Sequence, residues 1–186
     1  MNFENVTLVG VLSADQSLYS GDFRAAERTF SLITQVIGRS GRGQKAGRAV
    51  IQTFTPSSEV IRQAARQDYD AFYQSEIILR KLQDSPPFSD LLSVTASGAE
   101  ERAVVDACRF VKNRLCFLLG QKEKTEFLGP TPLTVVRVNN RFRYRIIIKC
   151  RSDSAIRNAV SGVITECSTD KRFRGISFYA DNDPEF

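Results

Sequence analysis

The chain has 186 residues, 42% of them hydrophobic and 25% charged, with a net charge of +5. That length suits one ordinary domain, or a small domain with part of another, and the composition is that of a folded protein, not a disordered or fibrous one. No run approaches the roughly 20 apolar residues of a membrane helix, and Met1-Asn2-Phe3-Glu4-Asn5 lacks the basic start and apolar core of a signal peptide. There is no histidine, and Cys108, Cys116, Cys150 and Cys167 form no CxxC pair, so the usual zinc sites are excluded. The cysteines read as reduced core residues, which fits a cytoplasmic location.

In chain order, Val6-Thr7-Leu8-Val9-Gly10-Val11-Leu12 is a continuous apolar run and reads as a strand buried on both faces. Residues 1–5 supply no neighbour for it, so the chain is expected to begin inside a larger parallel-sheet domain. Phe23, Phe30, Ile33 and Ile37 recur near helical spacing and predict a helix over 22–37 with Asp22 as N-cap. Gly38, Gly41, Gly43 and Gly47 break the chain into a turn. Arg48 to Phe54 alternates like a second strand, so that strand, helix, Gly-rich loop and strand make an α/β crossover. Residues 57–83 read as one helix, stopped by Asp84-Ser85-Pro86-Pro87.

The remainder reads as β-α-β-β-α-β. Leu91 to Ala96 is the first strand, and Ser97 with Glu100 forms a capping box for a helix whose apolar face is Val104, Cys108, Val111, Leu115 and Leu118. Glu126–Leu128 and Leu133–Val138 form the second strand, interrupted by Gly129-Pro130-Thr131-Pro132. Asn139-Asn140 turns the chain into a third strand from Phe142 to Arg151. Ile156, Val160, Val163 and Cys167 mark the second helix, and Ile176 to Ala180 the last strand. This is the split βαβ pattern of an α+β, ferredoxin-like domain.

Two groups of residues carry candidate chemistry. The first is Gln35-Val36-Ile37-Gly38-Arg39-Ser40-Gly41-Arg42-Gly43 at a helix end. Arg39 and Arg42 lie three apart, so both guanidiniums point one way, and a planar guanidinium binds phosphate oxygens with two parallel hydrogen bonds. The plainer reading is a Gly-rich helix terminus with two solvated arginines. Gly38 and Gly43 have Walker A spacing, but Gln44 stands where the lysine belongs and the topology is helix–loop–strand, so no such loop is assigned. With no other Walker A and no acidic Walker B motif, the chain alone is not expected to hydrolyse ATP. The second group is Arg137, Arg141, Arg143, Arg145, Lys149 and Arg151. Between 137 and 157 there are seven basic residues and one acidic, Asp153. On a strand, Arg143, Arg145, Lys149 and Arg151 share one face with Ile147, while Tyr144, Ile146, Ile148 and Cys150 take the other. Such a row of cations can track a nucleic-acid backbone; the alternative is an edge strand kept soluble by charge.

The stretch Val6–Gly43 resembles the PriA family of primosomal DNA helicases around its motifs V and VI. The resemblance rests on Ala14-Asp15, Asp22-Phe23-Arg24-Ala25, Glu27-Arg28-Thr29-Phe30 and Gln35-Val36-Ile37-Gly38-Arg39-Ser40-Gly41-Arg42. It continues through Asp68-Tyr69-Asp70-Ala71-Phe72-Tyr73, Pro86-Pro87-Phe88-Ser89, Gly129-Pro130-Thr131-Pro132, Arg141-Phe142-Arg143-Tyr144-Arg145 and Asp181-Asn182-Asp183-Pro184, and so spans essentially the whole chain. It implies a partial RecA-like lobe at 1–55, a helical linker at 56–85 and a ribosomal-protein-like, ferredoxin-like DNA-binding domain at 86–186.

The resemblance also implies a role in an ATP-dependent 3′–5′ helicase that recognises stalled or branched forks and reloads the replisome. Gln35, Gly38, Arg39 and Arg42 would then face ATP and magnesium held with another lobe. The family's GT…KG stretch and its zinc-binding cysteines lie upstream, and no zinc site falls in this sequence. The implied partners are single-stranded or branched DNA, the acidic, Phe-terminated tail of the single-stranded DNA-binding protein, and other primosome proteins, in a bacterial cytoplasm at the nucleoid. No membrane partner is expected, and self-association through the incomplete lobe is a further expectation. A stand-alone nucleic-acid- or protein-binding module without an ATPase role is the rival reading.

Overall fold

The structure, a computed structural model, describes residues 6–40, 46–120 and 125–184. The chain divides into two compact units, Met1–Gln83 and Asp84–Phe186.

In the first unit, β1 (Leu8–Val11) pairs in parallel with β2 (Arg48–Ile51), in register from Leu8 opposite Arg48 to Val11 opposite Ile51. Parallel neighbours need a crossover, and α1 (Ala25–Ile37) lies in the connection. The side chains of this two-stranded sheet alternate. Val11 and Ile51 pack on the core formed by Ala14, Phe30, Ile33, Ile61, Ala64 and Phe72, while Leu8, Val50, Leu12 and Phe54 are exposed. The Val6–Leu12 run is therefore covered on one face, not two, because among the described residues α1 covers one side of the pair and leaves the other open.

Three more expectations change here. Helix α1 begins at Ala25 instead of Asp22, since the buried carboxylate of Asp22 accepts from the Arg24 backbone N–H at 2.8 Å and shapes the turn before the helix. The segment 57–83 is two helices, α2 (Glu59–Arg66) and α3 (Tyr69–Leu82), separated at Gln67, whose φ of 56° is left-handed. Asp68 starts α3 by accepting from the Ala71 N–H at 3.0 Å. The segment expected as a helical linker packs into the first unit: the Phe72 ring stacks on Phe30 at 4.3 Å, and Arg80 donates to both Glu76 (2.8 Å) and Glu27 (3.0 Å), tying α3 to the start of α1.

The second unit is one four-stranded antiparallel sheet with two helices. Its elements are β3 (Asp90–Gly98), α4 (Glu101–Leu119), β4 (Glu126–Val138), β5 (Arg141–Cys150), α5 (Ser154–Thr169), a 3-10 turn (Lys171–Phe173) and β6 (Ser177–Asn182). The strand order β4-β5-β3-β6 is that of the ferredoxin-like split βαβ motif expected from the sequence. Alternate residues of β3 and β5 (Leu92, Val94, Ala96; Ile146, Ile148, Cys150) meet Val104, Cys108, Val111 and Leu115 of α4 and Ile156, Val160 and Val163 of α5 in one core.

Two local details depart from expectation. The Ser97–Glu100 capping box does not form: Ser97 belongs to β3, and α4 starts at Glu101 without a side-chain cap. β4 is continuous through Gly129-Pro130-Thr131-Pro132, with register shifts between Leu128 and Thr131 and between Pro132 and Arg137. Gly129 makes the first shift possible. Its φ is +96°, and a Cβ there would lie 2.8 Å from the Arg145 carbonyl oxygen.

Candidate functional site

The end of α1 carries the first group. Gly38 closes the helix, its N–H donating to the Thr34 carbonyl at 3.0 Å, and Arg39 and Ser40 continue the turn onto Val36 and Ile37. Because Phe30 and Ile33 turn inward, the positions Leu32, Gln35 and Arg39 form one row on the outer face. Gln35 and Arg39 are both exposed. Arg42, the second arginine of the motif, lies outside the described residues.

Near the carboxyl ends of β1 and β2 sits a network that spacing did not reveal. The buried Asp15 carboxylate receives the Thr53 hydroxyl at 2.6 Å, the Phe54 N–H at 2.7 Å, the Thr55 N–H at 3.3 Å and the Thr55 hydroxyl. Hydrogen bonds from Thr53 and then Thr55 hold its pKa well below the ordinary carboxylate range, at about 2. The carboxylate thereby fixes the chain leaving β2 against the chain leaving β1. The resemblance includes Ala14-Asp15, but no spacing pointed to its partners, which lie 38 to 40 residues away.

The basic strand is β5. Its alternation is as read: Tyr144, Ile146, Ile148 and Cys150 face the helices, and Arg143, Arg145, Ile147 and Lys149 face the other side, opposite Ser97, Thr95, Ser93 and Leu91 of β3. The cations are not equivalent, however. Arg145 is only 8% exposed. Arg143 donates to the Val135 carbonyl at 2.7 Å. Arg141 is strapped to the sheet end by bonds to Ser97 O (2.5 Å) and Oγ (3.2 Å), Gly175 O (3.2 Å) and Ser177 Oγ (3.1 Å). Lys149 is half-buried. Arg137 and Arg151 are exposed, and the Arg137 guanidinium lies 5.0 Å from the Phe142 ring centroid. Tyr144 packs on the core and donates its hydroxyl to Glu101 at 2.5 Å; that bond, with burial, raises its pKa. It is a core residue, not a stacking platform.

Two of the thiols are held unreactive. Cys108 and Cys167 are buried, and desolvation pushes their pKa values up to about 12 and about 11.

The family model described as the primosomal protein N C-terminal domain matches residues 81–185. The chain belongs to that family. Proteins named replication restart protein PriA are similar over most of its length. That of Bacillus subtilis (strain 168) is 41% identical over 156 residues, covering 84% of this chain and 19% of the relative. That of Chlamydia pneumoniae is 43% identical over 150 residues, with 80% and 20% covered. That of Chlamydia muridarum (strain MoPn / Nigg) is 36% identical over 179 residues, with 95% and 23% covered. The chain thus spans about a fifth of the length of these relatives. The family match covers nearly all of the ferredoxin-like unit, and the longest of these alignments reaches back across the strand–helix–strand unit as well.

Proposed function

We propose that the chain is the C-terminal part of an ATP-dependent 3′–5′ DNA helicase that recognises stalled or branched replication forks and reloads the replisome. The observation that carries this reading is its family membership, joined to the shared similarity with proteins named for replication restart. Within it, the ferredoxin-like unit contacts DNA, and the outer row at the end of α1 faces ATP. Gln35 and Arg39 suit that role because both are exposed on one side of the helix, and Arg39 has no ion-pair partner among the described residues to compete with phosphate. Bound ATP with magnesium would supply the phosphoryl group whose charge Arg39, with Arg42, stabilises.

For the nucleic-acid surface, exposure favours Arg137 and Arg151 over the buried Arg145. Arg141 and Arg143, held by carbonyl oxygens, shape the β4–β5 turn beside Arg137. The acidic tail of a single-stranded DNA-binding protein and other primosome proteins are the partners this role calls for, within the bacterial nucleoid. The test is titration of single-stranded DNA at several salt concentrations. Replacing Arg137 and Arg151 together by Ala is expected to weaken binding and to reduce the slope of log K against log salt by about 1.4, since each phosphate neutralised on a single strand accounts for roughly 0.7. An unchanged slope would remove these residues from the interface.

A further inference from the structure

The two edges of the ferredoxin-like sheet are built differently. β4 carries Pro130 and Pro132 and two breaks of register, features that keep a second strand from pairing with an edge. β6 has no proline, no lysine and an unbroken register against β3 from Ser177 to Asn182. The Asp183 N–H donates to the Leu91 carbonyl at 2.8 Å, which makes that pair, and then Asp181–Ser93 and Tyr179–Thr95, the hydrogen-bonded pairs of the ladder. The intervening residues, Phe178, Ala180 and Asn182, therefore turn their N–H and C=O groups away from β3, to the outer edge. On that edge runs a groove of about 270 Å3 between α5 and β6. Its apolar lining comes from Leu92, Val160, Ile164 and Ala180, with Arg157 on its α5 side.

From this juxtaposition we infer that β6 is a docking edge for an extended segment of a partner protein, which adds as a fifth strand and places one apolar side chain in the α5–β6 groove. Main-chain bonds to Phe178, Ala180 and Asn182 supply the affinity, and the groove selects the side chain, as in other strand-addition sites. The occupant is an extended, alternating peptide, because the outward groups ask for a backbone and the groove offers apolar walls.

The test uses the full 186-residue chain and fluorescent eight-residue peptides alternating Thr with Val, Ile or Phe, each paired with a version interrupted by proline. At least one uninterrupted peptide is expected to bind at least ten-fold more tightly than its proline counterpart, and to slow amide exchange at Phe178, Ala180 and Asn182 at least ten-fold. Ala180→Pro removes an outward N–H without touching the β3 ladder and is expected to abolish binding with the circular dichroism melt retained. Ser161→Trp, which fills the groove from the exposed side of α5, is expected to weaken binding at least ten-fold and serves if the proline variant misfolds. Equal binding of the interrupted peptides, binding that survives both variants, or no binding by any peptide would overturn the inference. So would light scattering that finds a dimer dissolved by Ala180→Pro, since a second copy would then be the occupant.

Discussion

At the scale of single residues, the sharpest consequence concerns Asp15. Its pKa is held at about 2 against an ordinary 3.8 by the hydroxyls and N–H groups of Thr53 to Thr55. A carboxylate depressed in the folded state stabilises the fold at pH values above its unfolded pKa and loses that contribution as the pH falls through its folded value. Urea midpoints are therefore expected to drop between about pH 4 and pH 2, and Asp15→Ala is expected to lower the midpoint at neutral pH while flattening the curve in that window. Parallel curves for the two proteins would mean the network does not stabilise the folded state. Arg39 is the residue on which the nucleotide reading turns. In a full-length relative carrying the same motif, the Arg39→Ala change is expected to cut ATP turnover about 100-fold or more, as for removal of a transition-state donor, with DNA affinity changed much less. Equal losses in the two measurements would assign it to binding instead.

At the scale of elements, α1 serves two faces at once. Its inner residues Phe30 and Ile33 bury it, and that burial is what orients Leu32, Gln35 and Arg39 outward. The Phe30–Phe72 stack is central to this arrangement, because it joins α1 to α3 with both rings 5% exposed. Phe72→Ala is expected to cost about 3–5 kcal/mol, the usual loss for a buried aromatic, read as a shifted urea transition of the Met1–Gln83 unit. A loss below about 1 kcal/mol would mean that α3 contributes little to holding α1. In the second unit β5 does the corresponding work. Its inner row of Ile146, Ile148 and Cys150 is buried, so the register of its outer row is fixed to the residue.

At the scale of the whole chain, the two units carry different parts of the proposed activity. Neither contains a Walker A loop. The purified chain is expected to hydrolyse ATP no faster than a buffer control, with or without single-stranded DNA; stimulated hydrolysis would show that the nucleotide site is complete within these residues. The parallel β1–β2 pair leaves Leu8, Leu12, Val50 and Phe54 exposed, Phe54 at 87%. An apolar sheet face of this kind is a contact surface in waiting.

The sequence by itself determined the class and order of most elements, because those follow from local periodicity. The βαββαβ order, the alternation of β5 and the helix ending at Ile37 were all legible from apolar spacing and from glycine. The family was legible as well, through the resemblance that runs such as Gln35–Arg39 and Asp22–Ala25 carried, and the family match over residues 81–185 shows it. Tertiary structure decided which of the named cations are accessible. Arg143 and Arg145 are indistinguishable from Arg137 and Arg151 as residues in a row, and only the neighbouring strands bury one and bond another to a carbonyl. It decided that Asp15 organises the strand ends and that β6, not β4, has an unbroken outer edge. Both depend on residues brought together from distant parts of the chain, where no local pattern of side chains records the meeting.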